Sequence, residues 1–410
     1  MYSSLLKITT FYKDFLIDYY QRNPGIKESG FDNQFKHLMD QGYGYSDYFP
    51  RYLESNHAIR STEIVANAIH LQEAWARENE CNERGENLLL KQIIKFQPEV
   101  LFIQAATQFS ADFIRLIKEK VSSLKLLIGH TCSPYTIANQ ESFREYDLLL
   151  TCSDRFKNDL EKLGILCYNF PHAIESSLVK QLTPNTPKEN NIVFIGSLLY
   201  RSEFHKERIK VLEEMMNEAL PVVLIGELEE DPWTVLKGKQ ILYLMIKAGE
   251  LLRLGGLVKK GIFRKVAQLK EMPIKASYPE IIRKGLRKEH LYGKKLLDEL
   301  ANHRIGFNIH AEVAGDYAAN VRMFEVAGAG SLLLTDHKKN ISELFEPGEE
   351  ILTYKSTAEL IEKAKWALEH PRECEKIASR GQARVLRDHS VERRVDLLYE
   401  ILNLEFDKRA

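Results

Sequence analysis

The 410-residue sequence predicts a two-domain α/β protein in which each half is a mostly parallel sheet covered by helices. Three observations carry this expectation. Short apolar runs of strand length alternate with helical segments along most of the chain. The alternation breaks at Thr183-Pro184-Asn185-Thr186-Pro187, the best linker in the sequence, and then starts again. Finally, Arg304 to Asp336 reads as one strand–loop–helix–strand unit. Its apolar runs, Ile305 to Ile309 and Ser331 to Thr335, flank a helical segment from Ala318 to Ala327 that is closed by Gly328 and Gly330.

Taken in order, Leu5 to Thr9 predicts a strand and Asp14 to Gln21 a helix, stopped by Asn23-Pro24-Gly25. Lys7 and Lys13 come too early for the apolar core of a signal peptide. Phe31 to Leu53, rich in Tyr, Gly and Asp, either shapes a substrate cleft or forms a structured surface connection. Strands are expected at Thr62 to Ala66, Val100 to Gln104, Lys125 to Ile128 and Asp147 to Thr151. Helices are expected at Ala68 to Glu78, Asn87 to Phe96 and Asp112 to Val121, and after Asp154, a natural N-cap. Beyond the linker, strands at Ile192 to Ile195 and Pro221 to Ile225 bracket a helix from Phe204 to Asn217. The chain closes with a short strand at Glu350 to Tyr354 and helices at Ala358 to Glu369, Glu373 to Arg387 and Val391 to Phe406.

A formal charge of −1 argues against a nucleic-acid partner. No stretch approaches the roughly 18 to 20 uncharged apolar residues of a membrane span. The five cysteines are odd in number and widely spaced, with no expected zinc or redox pairing, which points to a reducing cytoplasm. Charge is unevenly spread: Lys237 to Lys275 holds ten Lys/Arg against two Glu. Apolar residues recur there at helical spacing (Ile241, Met245, Ala248, Leu252). The segment is either an interfacial basic helix pair drawn to anionic lipid or a hairpin packed on its domain with a solvated basic face.

In open parallel sheets, ligands bind beyond the carboxyl ends of the strands. His310, Glu312, Asp316, Asn320, Arg322 and Glu325 collect at that edge. The N-terminus of the following helix favours an anion. Arg322 in its first turn can add charge and paired hydrogen bonds. Glu325, one turn on, can accept from a ribose diol, or the two can form only an i,i+3 surface pair. Val321, Phe324 and Gly328 lie on the neighbouring, core-like face. In the first half, His130 follows a strand and has the ordinary pKa of a general base, or is a structural loop histidine; His172 sits at the expected crossing between halves. There is no Asp-x-Asp and no His/Asp/Glu cluster with metal spacing.

Asn320-Val321-Arg322-Met323-Phe324-Glu325-Val326-Ala327-Gly328-Ala329-Gly330, followed by LLLTD, resembles the donor-binding segment of group 1 glycosyltransferases with the GT-B fold. It is most similar to the spore-maturation glycosyltransferase branch. The likeness continues through Glu343 to Glu350, His370-Pro371 and Gly381, and includes Asn191 to Ser197. The resemblance implies two Rossmann-like domains facing across a cleft. Residues 1–180 would form the acceptor domain and 181–390 the donor domain, with a helical insertion at about 230–276; the 391–410 helix would brace the first domain.

The resemblance also implies a nucleotide-sugar donor and a glycan or lipid-linked acceptor, with no metal or other cofactor. Glu325 matches the glutamate that binds ribose. Asn320, Val321 and Arg322 match the segment facing the diphosphate, and Gly196, Ser197 and Arg201 a second phosphate loop. His310 and Asp316 stand at the rim of the donor site, and His130 is the acceptor-side base. Tyr317 stands where retaining relatives often carry a second glutamate, which leaves the anomeric outcome open. The product expected is a surface polysaccharide or glycolipid, made in the cytoplasm or peripherally at the inner membrane face through 237–275. A GT-B nucleotide-sugar epimerase and a non-catalytic nucleotide-sugar-binding protein are the rival readings.

Overall fold

The structure, a computed structural model, describes residues 2–184, 187–200, 205–251, 272, 275–311 and 315–408. The fold is GT-B: two six-stranded sheets, each covered by helices, in which every described strand pairing is parallel. The strands are β1 (Ser4–Thr9), β2 (Arg60–Val65), β3 (Val100–Ile103), β4 (Leu126–His130), β5 (Leu148–Thr151), β6 (Cys167–Asn169), β7 (Glu189–Ile195), β8 (Val222–Gly226), β9 (Leu286–Lys288), β10 (His303–Asn308), β11 (Leu332–Asp336) and β12 (Leu352–Tyr354). By contact density the chain forms two compact units, Met1–Phe194 with His290–Ala410, and Ile195–Glu289.

The larger unit contains the whole first sheet, in the order β2-β1-β3-β4-β5-β6, and the β12-β11-β10-β7 part of the second. The central strands of the first sheet are buried on both faces, as a parallel sheet between helix layers requires. Lys7 is the one charged residue of β1, and it too is buried. Its ammonium is buried and pairs with the buried Glu63 carboxylate of β2 at 2.7 Å, so neither charge is left alone in the interior. The smaller unit carries β8 and β9 as parallel neighbours, with Leu224 opposite Leu286.

Two connections tie the sheets of the larger unit together. Ile174 pairs its backbone with the 389–391 turn: its N–H donates to the His389 carbonyl at 3.0 Å, and the Val391 N–H donates to the Ile174 carbonyl at 2.9 Å. The Val391–Asp407 helix then lies against the first sheet's domain. Tyr168 donates to Glu405 at 2.5 Å, His57 meets Asp396 at 3.1 Å, and Tyr399 stacks on the His57 ring with centroids 3.9 Å apart.

Close helix-to-strand packing at the Val321–Gly328 helix rests on Gly306. A Cβ on Gly306, in the middle of β10, would sit 2.3 Å from a Val326 methyl, so this glycine sets the approach of the Val321–Gly328 helix to the sheet. Gly328 does not serve helix-to-strand packing; a Cβ there would meet Ile174 at 2.7 Å, across the connection between the sheets. The basic segment is described only in part. The Trp233–Leu251 helix buries Leu236 and Ile246 and exposes Ile241, Leu244 and Met245, while residues 252–271, which would hold the second piece, lie outside the described residues.

Candidate functional site

The site is built on the carboxyl ends of β10 and β11. Asn308, the last residue of β10, is buried, and its amide donates to the Thr335 hydroxyl of β11 at 2.9 Å. Its carbonyl oxygen accepts from the Asn320 amide at 2.7 Å. Asn320 has extended backbone (φ −97°, ψ 147°) and is the N-cap of the Val321–Gly328 helix, which therefore starts three residues later than its sequence pattern suggests. Its side chain is committed to β10 and does not cap the first turn, and its buried Oδ1 has no hydrogen-bond partner. The helix thus presents its positive end and an orphaned amide oxygen at the strand edge, with Val321 partly exposed beside them.

Arg322 and Glu325 lie on this helix 2.8 Å apart, with side chains 21 % and 22 % exposed. The approach is close, yet Arg322 Nη1 and Glu325 Oε2 do not meet with hydrogen-bond geometry, and both atoms are buried without another partner. This is the i,i+3 pair, but half-buried and imperfectly satisfied, unlike a solvated surface pair. Facing it are Tyr43 and Tyr45 from the first domain. Burial raises both phenol pKa values, that of Tyr45 to about 12, and the Glu325 charge adds to both shifts. Two residues of the Phe31 to Leu53 stretch therefore lie close enough to Glu325 to feel its charge. Tyr43 also packs edge-on against Tyr292 with centroids 5.4 Å apart.

The other expected donor residues divide. His310 is buried with both ring nitrogens engaged: Nδ1 lies 2.7 Å from Asp336 Oδ1 and Nε2 lies 3.0 Å from Met323 Sδ. Burial would raise the Asp336 pKa, but the His310 hydrogen bonds and Lys338 overcome this and hold it far below the usual range. His310 therefore ties β10 to β11 and has no nitrogen facing a ligand. Asp316 is 67 % exposed and forms a surface ion pair with Lys339 at 2.7 Å. In the smaller unit, the Gly196 N–H donates to the Ile225 carbonyl at 3.0 Å and the Ser197 hydroxyl donates to Glu227 at 3.2 Å. A Cβ on Gly226, whose φ is +151°, would lie 2.1 Å from the Gly196 carbonyl oxygen, so this turn tolerates only glycine. Arg201, like Glu312, lies outside the described residues.

On the first-domain side, His130 ends β4 as expected, but it is only 8 % exposed. Burial, opposed by a backbone hydrogen bond to Gln104, pushes its pKa down to about 4, and its Nε2 lies 3.3 Å from Cys132 Sγ. His172 sits beside it, ring centroids 6.2 Å apart, with Nδ1 2.9 Å from the Tyr45 hydroxyl. The cysteines overturn the expectation of no pairing: Cys132 and Cys152 form a disulfide, with Cα atoms 5.6 Å apart. The cause is register. His130 lies beside Leu150 in the parallel pair, so residues two further along each strand emerge side by side despite being 20 apart in sequence. Equal offsets from two neighbouring strand ends were the available signal. Arg394 and Tyr45 were missed. The Arg394 guanidinium, on the last helix, donates to the Pro171 carbonyl at 2.7 Å.

Against this geometry, residues 260–400 match a family model described as glycosyl transferase-like. No curated protein matches the chain in sequence. The fold is similar to that of Anabaena HepE, solved in complex with UDP and glucose, at 12% identity and a TM-score of 0.53, covering 98% of this chain and 99% of that one. It is also similar to a glycosyltransferase from Rickettsia africae ESF-5 (8% identity, TM-score 0.56, 98% of both chains). A third likeness is to sucrose-phosphate synthase from Thermosynechococcus elongatus (11% identity, TM-score 0.52, 99% of this chain and 100% of that one). Among the described residues, no helix is long and apolar enough to cross a membrane.

One buried group beneath the site makes stability depend on pH. The His389 ring packs on Phe324 with centroids 4.9 Å apart. Its Nε2 donates to the Leu344 carbonyl at 3.0 Å, and its Nδ1 lies 3.0 Å from Arg394 Nη2. Burial, opposed by the Leu344 hydrogen bond and reinforced by Arg394, pushes its pKa down to about 4. An unfolded histidine takes up a proton below about pH 6.5, whereas the folded one stays neutral. The unfolded state thus binds more protons in that window, and stability falls as pH drops through it. Acidification from about pH 7 to about pH 5 should cost the wild type about 2 kcal/mol more than His389→Gln, by urea unfolding at each pH. Equal losses in the two proteins would show that His389 does not titrate in this way.

Proposed function

We propose that this chain transfers a sugar from a nucleoside diphosphate donor to an acceptor hydroxyl. The observation that carries the reading is the Asn320–Glu325 turn: an uncapped helix start, an unpartnered amide oxygen and a half-buried Arg–Glu pair facing a tyrosine-lined wall. The GT-B fold and the family match over 260–400 support the same reading. Under it, Glu325 accepts from the ribose hydroxyls, and Arg322 with the first-turn N–H groups of the helix neutralises the departing diphosphate, a role that needs no bound divalent ion. Gly196, Ser197 and Arg201 are proposed phosphate contacts on the sequence resemblance alone. The HepE complex makes uridine diphosphate and its sugars the first ligands to test.

Glu325→Ala should weaken nucleoside diphosphate binding by roughly 10- to 100-fold in calorimetry, the loss expected for hydrogen bonds to a charged group. Unchanged affinity would place the ribose elsewhere. On the acceptor side, we keep His130 as the proposed base because it stands at the carboxyl end of β4. His130→Ala should lower kcat by about 10²- to 10⁴-fold with donor affinity retained; full turnover would remove it from that role. Epimerised donor without transfer, or donor binding without turnover, would favour the rival functions.

The proposed setting is cytoplasmic, at the inner face of an anionic membrane, with a glycan or lipid-linked acceptor. It is supported by the charge of 237–275 and by the exposed Ile241, Leu244 and Met245 on its described helix. Protein lacking 237–275 should lose flotation with anionic vesicles, and equal flotation of both forms would end the membrane reading.

A further inference from the structure

Where the carboxyl ends of β4 and β5 meet the chain leaving β6, soft donor atoms converge. Cys132 Sγ, Cys152 Sγ and a His172 ring nitrogen all lie within 4.8 Å of one another. The side-chain oxygens of Thr131, Thr151 and Ser153, each next to one of these cysteines in sequence, are buried without a hydrogen-bond partner. We propose that, with both sulfurs reduced, Cys132, Cys152 and His172 bind one divalent cation of the zinc class.

Chemistry and geometry both suit that ion. Metal–sulfur bonds of about 2.3 Å and metal–nitrogen bonds of about 2.0 Å, spread tetrahedrally, put donor atoms roughly 3.5 to 4 Å apart. The cluster reaches that spacing by separating the two sulfurs. Two thiolates and a dication sum to zero charge, which a buried position tolerates. His172 is prepared as a ligand in a further way. Its Nδ1 is already held by the Tyr45 hydroxyl at 2.9 Å, leaving Nε2 for the metal and fixing the ring's orientation.

Access to the site requires reduction of the Cys132–Cys152 disulfide. A phosphine reductant takes the oxygen of one water to become its oxide, and that water's two protons and the phosphine's electron pair yield the two thiols. The cation then displaces both thiol protons to solvent as the two metal–sulfur bonds form. The disulfide and the metal complex are thus alternative states of one pair.

The test uses the full chain, reduced with phosphine, stripped with chelator and titrated with Co²⁺ as a spectroscopic stand-in, followed by Zn²⁺ displacement. One equivalent of cobalt should produce a thiolate charge-transfer band with tetrahedral d–d bands, and zinc should abolish both. Cys132→Ser and Cys152→Ser should each weaken binding more than about 100-fold, and Tyr45→Phe, which frees the His172 ring and the Ala173 N–H, by about 10-fold. Cys81→Ser should change nothing, and circular dichroism checks that each variant is folded. Absence of the charge-transfer band in protein whose thiols titrate as free would overturn the proposal. So would a cobalt spectrum that survives in folded Cys152→Ser, or a pair that stays oxidised under excess phosphine.

Discussion

The buried amide of Asn308 decides where the site lies. It donates to Thr335 on the neighbouring strand and accepts from Asn320, so one side chain ties together two strand ends and a helix start. The interior makes this bond obligatory, since an amide buried there without partners costs on the order of 1–3 kcal/mol per orphaned group. With Asn320 held extended, the helix can begin only at Val321. Its rotation then follows: Met323 faces His310, Phe324 faces His389, and the Arg322–Glu325 pair is left toward Tyr43 and Tyr45. The Arg322–Glu325 pair is thus placed by the packing of its neighbours.

A second constraint holds the first-domain wall in place. Ile174 joins the 389–391 turn by backbone hydrogen bonds, Arg394 grips the Pro171 carbonyl, and Gly328 lets the helix approach Ile174 closely. His172 lies in the same short segment, two residues from the bridge. The position of its ring relative to Tyr45 is therefore set by the joint that connects the sheets. His389 belongs to both networks, touching Phe324 on one side and Arg394 on the other.

Most of the fold was legible because buried parallel strands and amphipathic helices leave strong periodic signals. The twelve strands include ten that stand where apolar runs predicted them, within about three residues at either end. The two missed, Cys167–Asn169 and Leu286–Lys288, are three residues long, although Leu352–Tyr354, equally short, was predicted. Misread boundaries share a cause, because local propensity was overruled by a polar side chain or by register. Ala318 and Ala319 favour helix, yet Asn320 is held extended by Asn308. Ser153, not Asp154, takes the N-cap position of the Asp154–Glu161 helix. The site was legible as a rim of polar residues, but composition cannot tell which of them point inward. His310 and Glu325 look equally suited in sequence. Only the pairing of β10 with β11 shows that His310 is spent on Asp336. The Cys132–Cys152 contact was hidden for the same reason, since it depends on two strands being neighbours.

Under the proposed function, the Arg322–Glu325 pair would place opposite demands on a donor. A diphosphate is attracted by Arg322 and the helix end but repelled by a carboxylate one turn away. The conflict is relieved in one orientation only, with the phosphates toward Asn320 and Arg322 and a hydroxyl-bearing group donating to Glu325. The present pair has the distance of an ion pair without hydrogen-bond alignment, so separating the partners loses little directional bonding. Each then regains a better-aligned partner from the ligand. A ligand with phosphates but no diol leaves Glu325 as an uncompensated negative charge beside buried Tyr43 and Tyr45. A diol without phosphates leaves Arg322 and the helix end unanswered. Under the proposed function, the turn would therefore favour molecules that carry both groups at nucleotide spacing, through the charge opposition between two neighbouring side chains.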